Sequence, residues 1–218
     1  MKTSKKLIAT LVMLLLSLGA FSACNNPGDD YKTIVEEQKA KLEALNNWAQ
    51  DVLDSGTFEE RIEVLTEYAN INDFTNPLAA KLSESLRKDV QAELDKNNLE
   101  VAYEMSKELF KGMALTENIG LMASTAKSYA ESAFDTKEYA KSMEAAGKVL
   151  EAYWDEEAMD LKLAAELELL KQSVADNKLE EAKTYYDNIM DVTSLKGNEN
   201  LAKKYRAEAE KYSNKFSK

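Results

Sequence analysis

The chain has 218 residues, with 39 aspartates and glutamates against 28 lysines and arginines, a net charge of −11, one cysteine and no histidine. Without histidine or a second cysteine, serine–histidine and cysteine–histidine catalytic sites and the usual zinc sites are excluded. The acidic charge argues against nucleic-acid binding, because phosphates repel a negative surface. Carboxylate, lysine or tyrosine chemistry stays open, so a ligand-binding or enzymatic domain that uses carboxylates is one alternative. We expect instead a protein that is not an enzyme, holds no metal or other cofactor, and takes no small-molecule substrate.

The first 23 residues have the order of an export signal. Three lysines lie within residues 1–6, an apolar run covers residues 7–18, and small residues with one phenylalanine fill residues 19–23. The apolar run is shorter than the roughly 20 residues that span a bilayer, which favours a secretory signal over a membrane helix. Residues 1–23 are therefore predicted to be a signal peptide. Its removal would change the net charge to −14, because the segment carries three lysines and no acidic residue.

This signal segment leads directly into Cys24. The residues Phe21-Ser22-Ala23-Cys24 resemble the lipobox of bacterial lipoproteins, with phenylalanine where leucine is commonest. The resemblance implies that Cys24 is lipidated, with diacylglycerol on its sulfur and an acyl chain on its amino group, and that these chains hold the protein to a membrane. The alternative is ordinary signal-peptidase cleavage after Ser22, which would leave Cys24 as a free thiol.

The composition after the cysteine favours helices. Residues 24–30 are polar and contain a proline and a glycine, so they are predicted to form a short tether. The rest is rich in alanine, leucine, glutamate and lysine, which are strong helix formers. Apolar residues recur at helical intervals, and no alternating pattern predicts a strand. The sequence thus predicts an all-α fold of nine helices, at 32–54, 58–70, 77–96, 99–113, 117–133, 136–153, 156–175, 178–191 and 199–216.

Capping residues mark several of the predicted helix starts. Thr57 with Glu60 three residues later has the form of a capping box. Asp135 and Asn177 are also predicted N-caps, each followed by a glutamate three residues on. The short links between helices imply antiparallel neighbours, so we expect the helices to pair into hairpins.

A small, an aromatic and an apolar residue follow one another at helical spacing at Ala182, Tyr186 and Ile189, so they lie on one face of a predicted helix. This spacing resembles the second helix of a tetratricopeptide repeat, and weaker echoes begin at Ala102 and Ala140. The resemblance implies antiparallel helical hairpins stacked as a short α-solenoid over residues 97–218, after an N-terminal helical region at 31–96. The alternative is an irregular helical bundle in which alanines and leucines merely follow helical periodicity.

Tyrosines are concentrated near the C-terminus, and three of them, Tyr185, Tyr205 and Tyr212, are candidate partner-binding residues. An outward-facing tyrosine combines a large contact area with a hydroxyl group that can hydrogen-bond a partner. The alternative is that these side chains belong to the core.

Tyr153 and Trp154 precede the acidic run Asp155-Glu156-Glu157. One interpretation is an acidic, aromatic-edged notch that binds a cation. We favour the other, in which the acidic residues complement the dipole at a helix N-terminus and Trp154 anchors the turn.

Together these features predict a non-catalytic, lipid-anchored protein of the cell envelope that binds another envelope protein as a scaffold or adaptor. Lipoproteins with tetratricopeptide-like arrays commonly serve in this way, which is an analogy of fold. Asn25 follows the cysteine in place of the aspartate that resembles an inner-membrane retention signal, so the outer membrane is favoured. The alternative function is a surface-exposed helical adhesin or host-factor-binding lipoprotein.

Overall fold

The computed structural model describes residues 27–191 and 199–216. Within these ranges the chain forms nine α-helices and one 3-10 helix, and no strand. The helices are α1 (Pro27–Ser55), α2 (Phe58–Asn70), α3 (Pro77–Asp95), α4 (Leu99–Gly112), α5 (Thr116–Asp135), α6 (Tyr139–Ala152), α7 (Glu156–Ala175), α8 (Leu179–Met190) and α9 (Glu199–Ala209), and the 3-10 helix Glu210–Lys215 follows. The predicted all-α fold is confirmed, and every helix start except the first agrees within three residues.

The beginning of the chain is only partly covered by the structure. The predicted signal peptide at residues 1–23 and the predicted lipidation residue Cys24 lie outside the described residues. Residues 27–30 of the predicted tether belong to α1, which begins earlier than the sequence indicated. No helix in the described ranges combines the length and the apolar character needed to cross a membrane.

The chain divides into two compact units. The first extends to Asp89 and includes Lys111–Met113, and the second contains Val90–Phe110 and the chain from Ala114 onward. The division thus falls inside α3, whereas the sequence suggested a boundary between residues 96 and 97. In the first unit α1 packs against α2. The Tyr68 ring is fully buried there, and its hydroxyl donates a hydrogen bond to Asn46 Oδ1 at 2.7 Å.

Capping fixes the start of α2. The Glu60 N–H donates to Thr57 Oγ1 at 3.2 Å, and the Thr57 N–H donates to Glu60 Oε2 at 2.9 Å. Two N–H groups that the helix itself leaves without partners are satisfied in this reciprocal way. The predicted capping box is confirmed.

In the second unit consecutive helices pack as antiparallel hairpins. Helix α5 packs on α6, α6 on α7, and α7 on α8, and the links between them are three residues long. Helix α7 also contacts α5 and α9, so alternate helices lie side by side. This arrangement confirms the predicted stack of hairpins. The core is filled by two apolar clusters, one rich in alanine from α5 and α6, the other rich in leucine from α7.

The turns of this stack repeat one backbone geometry every 40 residues. Asn97, Lys137 and Asn177 have φ angles of 60°, 65° and 58°, in the left-handed region. In each turn the N–H of this residue bonds the carbonyl three residues back, and the following N–H bonds the carbonyl five residues back. These are the hydrogen bonds of a Schellman motif, in which a left-handed residue ends the helix.

This turn geometry corrects two of the predicted N-caps. Asp135 is the last residue of α5, and Asn177 is the left-handed residue that follows α7. Because the motif occupies the whole three-residue link, the N-cap positions fall to Glu138 and Lys178, whose side chains make no capping hydrogen bond. The predicted N-caps at Asp135 and Asn177 were therefore wrong.

The buried positions recur at the same interval. Ala102, Ser142 and Ala182 lie 40 residues apart and are buried, whereas Ala140 is exposed. The predicted correspondence of Ala140 with Ala102 and Ala182 was therefore wrong, and Ser142 holds the equivalent place. The side chain of Ser142 is small enough for two helices to approach closely. Because serine is polar, the spacing of alanines in the sequence does not reveal this position.

Lys137 is the exception among the left-handed turn residues, since Asn72, Asn97 and Asn177 hold the same conformation in three other turns. Side chains other than those of glycine and asparagine are disfavoured there. We expect Lys137→Gly to raise the free energy of unfolding by about 0.5–1 kcal/mol, measured by urea denaturation. Glu138→Gly is the matched control, because Glu138 has an ordinary φ of −85°. Equal stabilisation by both substitutions would contradict the explanation.

Candidate functional site

An open groove of about 930 Å³ lies in the second unit, among α5, α7, α9 and the turn between α6 and α7. We call it the acidic groove. It is lined by Trp154 and by five acidic residues, Glu131, Asp155, Glu156, Glu157 and Asp160. Four half-buried apolar residues, Phe134, Leu161, Ala164 and Leu201, also line it, and we call them its floor. These residues meet because α5 and α9 lie on either side of α7.

Helix α7 supplies half of the ten residues that line the groove. Glu157, Asp160, Leu161 and Ala164 follow the i, i+3, i+4, i+7 spacing that places side chains on one face of a helix. Residues between them, such as Leu163, face the core instead. The same helix therefore covers the apolar core with one face and lines the groove with another.

Asp155 begins α7 as its N-cap. Its Oδ1 accepts a hydrogen bond from the Ala158 N–H at 2.8 Å, and Lys127 Nζ lies 3.2 Å from its Oδ2. Burial alone would raise the pKa of Asp155, but the hydrogen bonds from Ala158 and Lys127 outweigh burial and lower the pKa. Lys127 also pairs with Glu157. The favoured interpretation, in which an acidic residue complements the start of this helix, is confirmed for Asp155.

Trp154 is not an anchor for the turn, because its side chain is 52% exposed. It lines the groove, while the neighbouring Tyr153, 46% exposed, does not. An acidic notch with an aromatic edge is thus present at Trp154 and the acidic residues that follow it, as one interpretation of the sequence predicted. Across the described ranges, no group of three or more histidine, cysteine, aspartate or glutamate residues is placed to hold a metal ion.

Tyr205 is a buried residue of α9 that contacts one carboxylate of the groove. Its ring is 4% exposed, and its hydroxyl donates a hydrogen bond to Asp160 Oδ1 at 2.8 Å. Burial and this hydrogen bond raise the pKa of Tyr205 to about 12, so the hydroxyl keeps its proton. Lys204 Nζ approaches the same Asp160 oxygen at 3.2 Å and lies 4.6 Å from the centre of the Tyr205 ring. Tyr205 and Lys204 therefore hold Asp160 in place.

None of the three tyrosines proposed from the sequence lines the groove. Tyr205 is buried, which leaves little of its surface for a partner. Tyr185 is half-buried, and its hydroxyl lies 3.4 Å from Glu181 Oε1. Tyr212 is half-buried against the leucine-rich cluster. The sequence did contain a signal for Tyr205, since Ala202 and Ala209 lie three and four residues away on the same helix face and are also buried.

The charge of the groove is only partly compensated. Lys127 and Lys204 pair with the carboxylates of Asp155, Glu157 and Asp160. Within residues 33–191 and 199–216, neither Glu131 nor Glu156 makes an ion pair. The groove therefore presents a negative potential above an apolar floor, which suits the binding of a cationic and partly apolar group.

Comparisons with known proteins do not assign the chain to a family. No protein-family model, no curated protein and no solved structure matches it. The chemistry of the acidic groove and the pattern of the N-terminal residues therefore carry the functional conclusion.

Proposed function

We propose that the chain is a non-catalytic lipoprotein of the cell envelope that binds another protein in the acidic groove and acts as a scaffold or adaptor. The observation that carries the proposal is the half-exposed Trp154 at the edge of an open groove with an apolar floor. Tryptophan is among the residues most often found at the energetic centre of protein interfaces. Lipidation of Cys24 and attachment to the outer membrane belong to the same proposal and rest on the lipobox resemblance.

The character of the groove supports binding over catalysis. The pKa of Asp155 is lowered by a helix cap and a lysine, whereas a general acid at neutral pH needs a raised value. The groove is also open to solvent, and enzymes usually surround the reacting groups so that water is excluded.

The stacked hairpins support the same proposal. Helical-repeat proteins use the surfaces of stacked hairpins to bind extended partners, and the 40-residue recurrence of turns and buried positions is what such a stack requires. Among helical-repeat proteins, the helix that contains Ala182 resembles the second helix of a tetratricopeptide repeat. We therefore propose a tetratricopeptide-like adaptor.

The proposal is tested by affinity capture of the protein from crosslinked cell envelopes. Trp154→Ala should reduce recovery of a reproducible partner at least about fivefold, which corresponds to a loss of about 1 kcal/mol of binding free energy. Tyr153→Ala, which removes the adjacent exposed aromatic ring outside the groove, should leave recovery unchanged. Equal recovery with both variants, or no reproducible partner with the wild type, would refute the proposal.

A further inference from the structure

We infer that the acidic groove binds a segment of its partner in which an apolar side chain is flanked by arginine or lysine residues. The inference rests on the proposed function and adds the chemistry of the bound segment. It follows from the charges, the floor and the aromatic edge of the groove.

The charges select a cationic segment. Five carboxylates line the groove, and the two lysines nearby are engaged with three of them. Glu131 on α5 and Glu156 at the start of α7 come from different helices, so an incoming cation can approach carboxylates on two sides. Charges in a cleft with apolar walls interact more strongly than charges on an open surface. An acidic segment would be repelled by the same groups.

The floor selects an apolar side chain between the cations. Phe134, Leu161, Ala164 and Leu201 are half-buried and line the groove. Leu161 packs against the alanine-rich cluster, while Ala164 and Leu201 pack against the leucine-rich cluster. An apolar side chain placed here would remove the remaining surface of these residues from water and extend both clusters. A cation without an apolar neighbour would leave these apolar side chains exposed to water.

The aromatic edge favours arginine over lysine. Lys204 already lies over the Tyr205 ring, whereas within the described part of the chain no lysine or arginine lies over the ring of Trp154. Tryptophan is the best aromatic partner for a cation, and the planar, weakly hydrated guanidinium group stacks on it more readily than an ammonium group does. Trp154 thus offers an unoccupied face beside the uncompensated carboxylates.

The charge of the whole chain disfavours a second copy as the occupant. At a net charge of −11, two copies repel each other, and the groove concentrates the repelling charge. A groove-dependent dimer, detected by sedimentation at rising protein concentration and abolished by Trp154→Ala, would overturn the inference.

The test uses the full chain purified in detergent and three synthetic peptides with the same apolar residues, flanked by arginine, glutamine or glutamate. Binding is followed by fluorescence anisotropy of labelled peptide. The arginine peptide should bind at least about tenfold more tightly than the glutamine peptide, and the glutamate peptide more weakly than both. Raising the salt concentration should reduce this preference by screening the charges.

Two double variants with equal charge change locate the binding. Glu131→Gln/Glu156→Gln should weaken binding of the arginine peptide about tenfold, whereas Glu144→Gln/Glu180→Gln, exposed on α6 and α8, should leave it within about twofold. Trp154→Ala should weaken it about threefold to fivefold. Equal effects of the two double variants, equal affinity for the arginine and glutamine peptides, or no binding of the arginine peptide below about 1 mM would overturn the inference.

The outcome is separable from that of the proposed function. Capture of a partner that depends on Trp154, together with a missing preference for the arginine peptide, overturns the cationic segment and leaves the adaptor function standing. Capture that does not depend on Trp154 overturns the proposed function, because that proposal places the partner in the acidic groove.

Discussion

Lys162→Met is expected to lower the free energy of unfolding by about 2–4 kcal/mol, because it removes the cation beside a buried carboxylate. Glu166 is 1% exposed, and its Oε1 accepts a hydrogen bond from Lys162 Nζ at 2.6 Å. Its second oxygen, Oε2, is buried and has no hydrogen-bond partner among the described residues. Methionine keeps the length of the lysine stem, so the loss reports mainly on the charge.

Replacing Glu166 itself should raise the free energy of unfolding. The positions 80 and 40 residues before Glu166 are Leu86 and Ala126, and both are buried apolar residues. Glu166→Leu therefore restores the apolar character of a recurring core position and removes an unsatisfied buried oxygen. We expect it to stabilise the protein by about 1–3 kcal/mol. The double variant with Lys162→Met should be more stable than Lys162→Met alone.

Urea denaturation followed by circular dichroism measures both changes. Lys183→Met is the matched control, because Lys183 also pairs with an acidic residue four positions later, Asp187, but both side chains are half exposed. An exposed pair of this kind contributes less than about 0.5 kcal/mol. Equal losses in the free energy of unfolding for Lys162→Met and Lys183→Met would show that the burial of Glu166 does not cause the destabilisation. Destabilisation by Glu166→Leu would contradict the explanation as well.

Cys24→Ala is expected to move almost all of the protein from the membrane fraction to the soluble fraction. A single acyl chain binds a membrane only marginally, but the two or more chains of a processed lipoprotein give lasting attachment. The measurement is fractionation of cells after labelling with a fatty-acid analogue, which should be incorporated by the wild type and not by Cys24→Ala. Asn25→Ala, which keeps the cysteine, serves as the control.

Retention of Cys24→Ala in the membrane, or absence of the label from the wild type, would count against the lipid anchor. The most informative companion variant is Phe21→Leu, which replaces the unusual lipobox residue with the commonest one and should preserve labelling. Protease treatment of intact wild-type cells separates the two envelope locations. A periplasmic adaptor is protected, and a surface-exposed adhesin is degraded.

Local features of this fold were predictable because their causes are local. The capping box at Thr57 and Glu60 involves residues three positions apart, so its pattern in the sequence is also its geometry. Helix starts other than that of α1 were predictable to within three residues for the same reason. The left-handed turns were not recognised, since asparagine is common both as an N-cap and as the residue that ends a helix. At Asn177 the second role applies.

The acidic groove was predictable only at one edge. Trp154 and the acidic residues after it are adjacent in sequence and were recognised as a possible notch. Glu131 and Leu201 are far from them along the chain and reach the groove only because α5 and α9 pack beside α7. The role of Tyr205 was missed because its partner, Asp160, lies 45 residues earlier, and a helical pattern does not reveal which tyrosine hydroxyl meets a carboxylate.

The 40-residue recurrence makes the length of this protein adjustable. Helices α4, α6 and α8 begin at Leu99, Tyr139 and Leu179, and the turns that precede them share one set of hydrogen bonds. A duplication or deletion of 40 residues would therefore join compatible ends and add or remove one helix pair in register. Such a change would alter how far the stack reaches, and new contacts between helix pairs would form only at the one junction where the joined pairs meet.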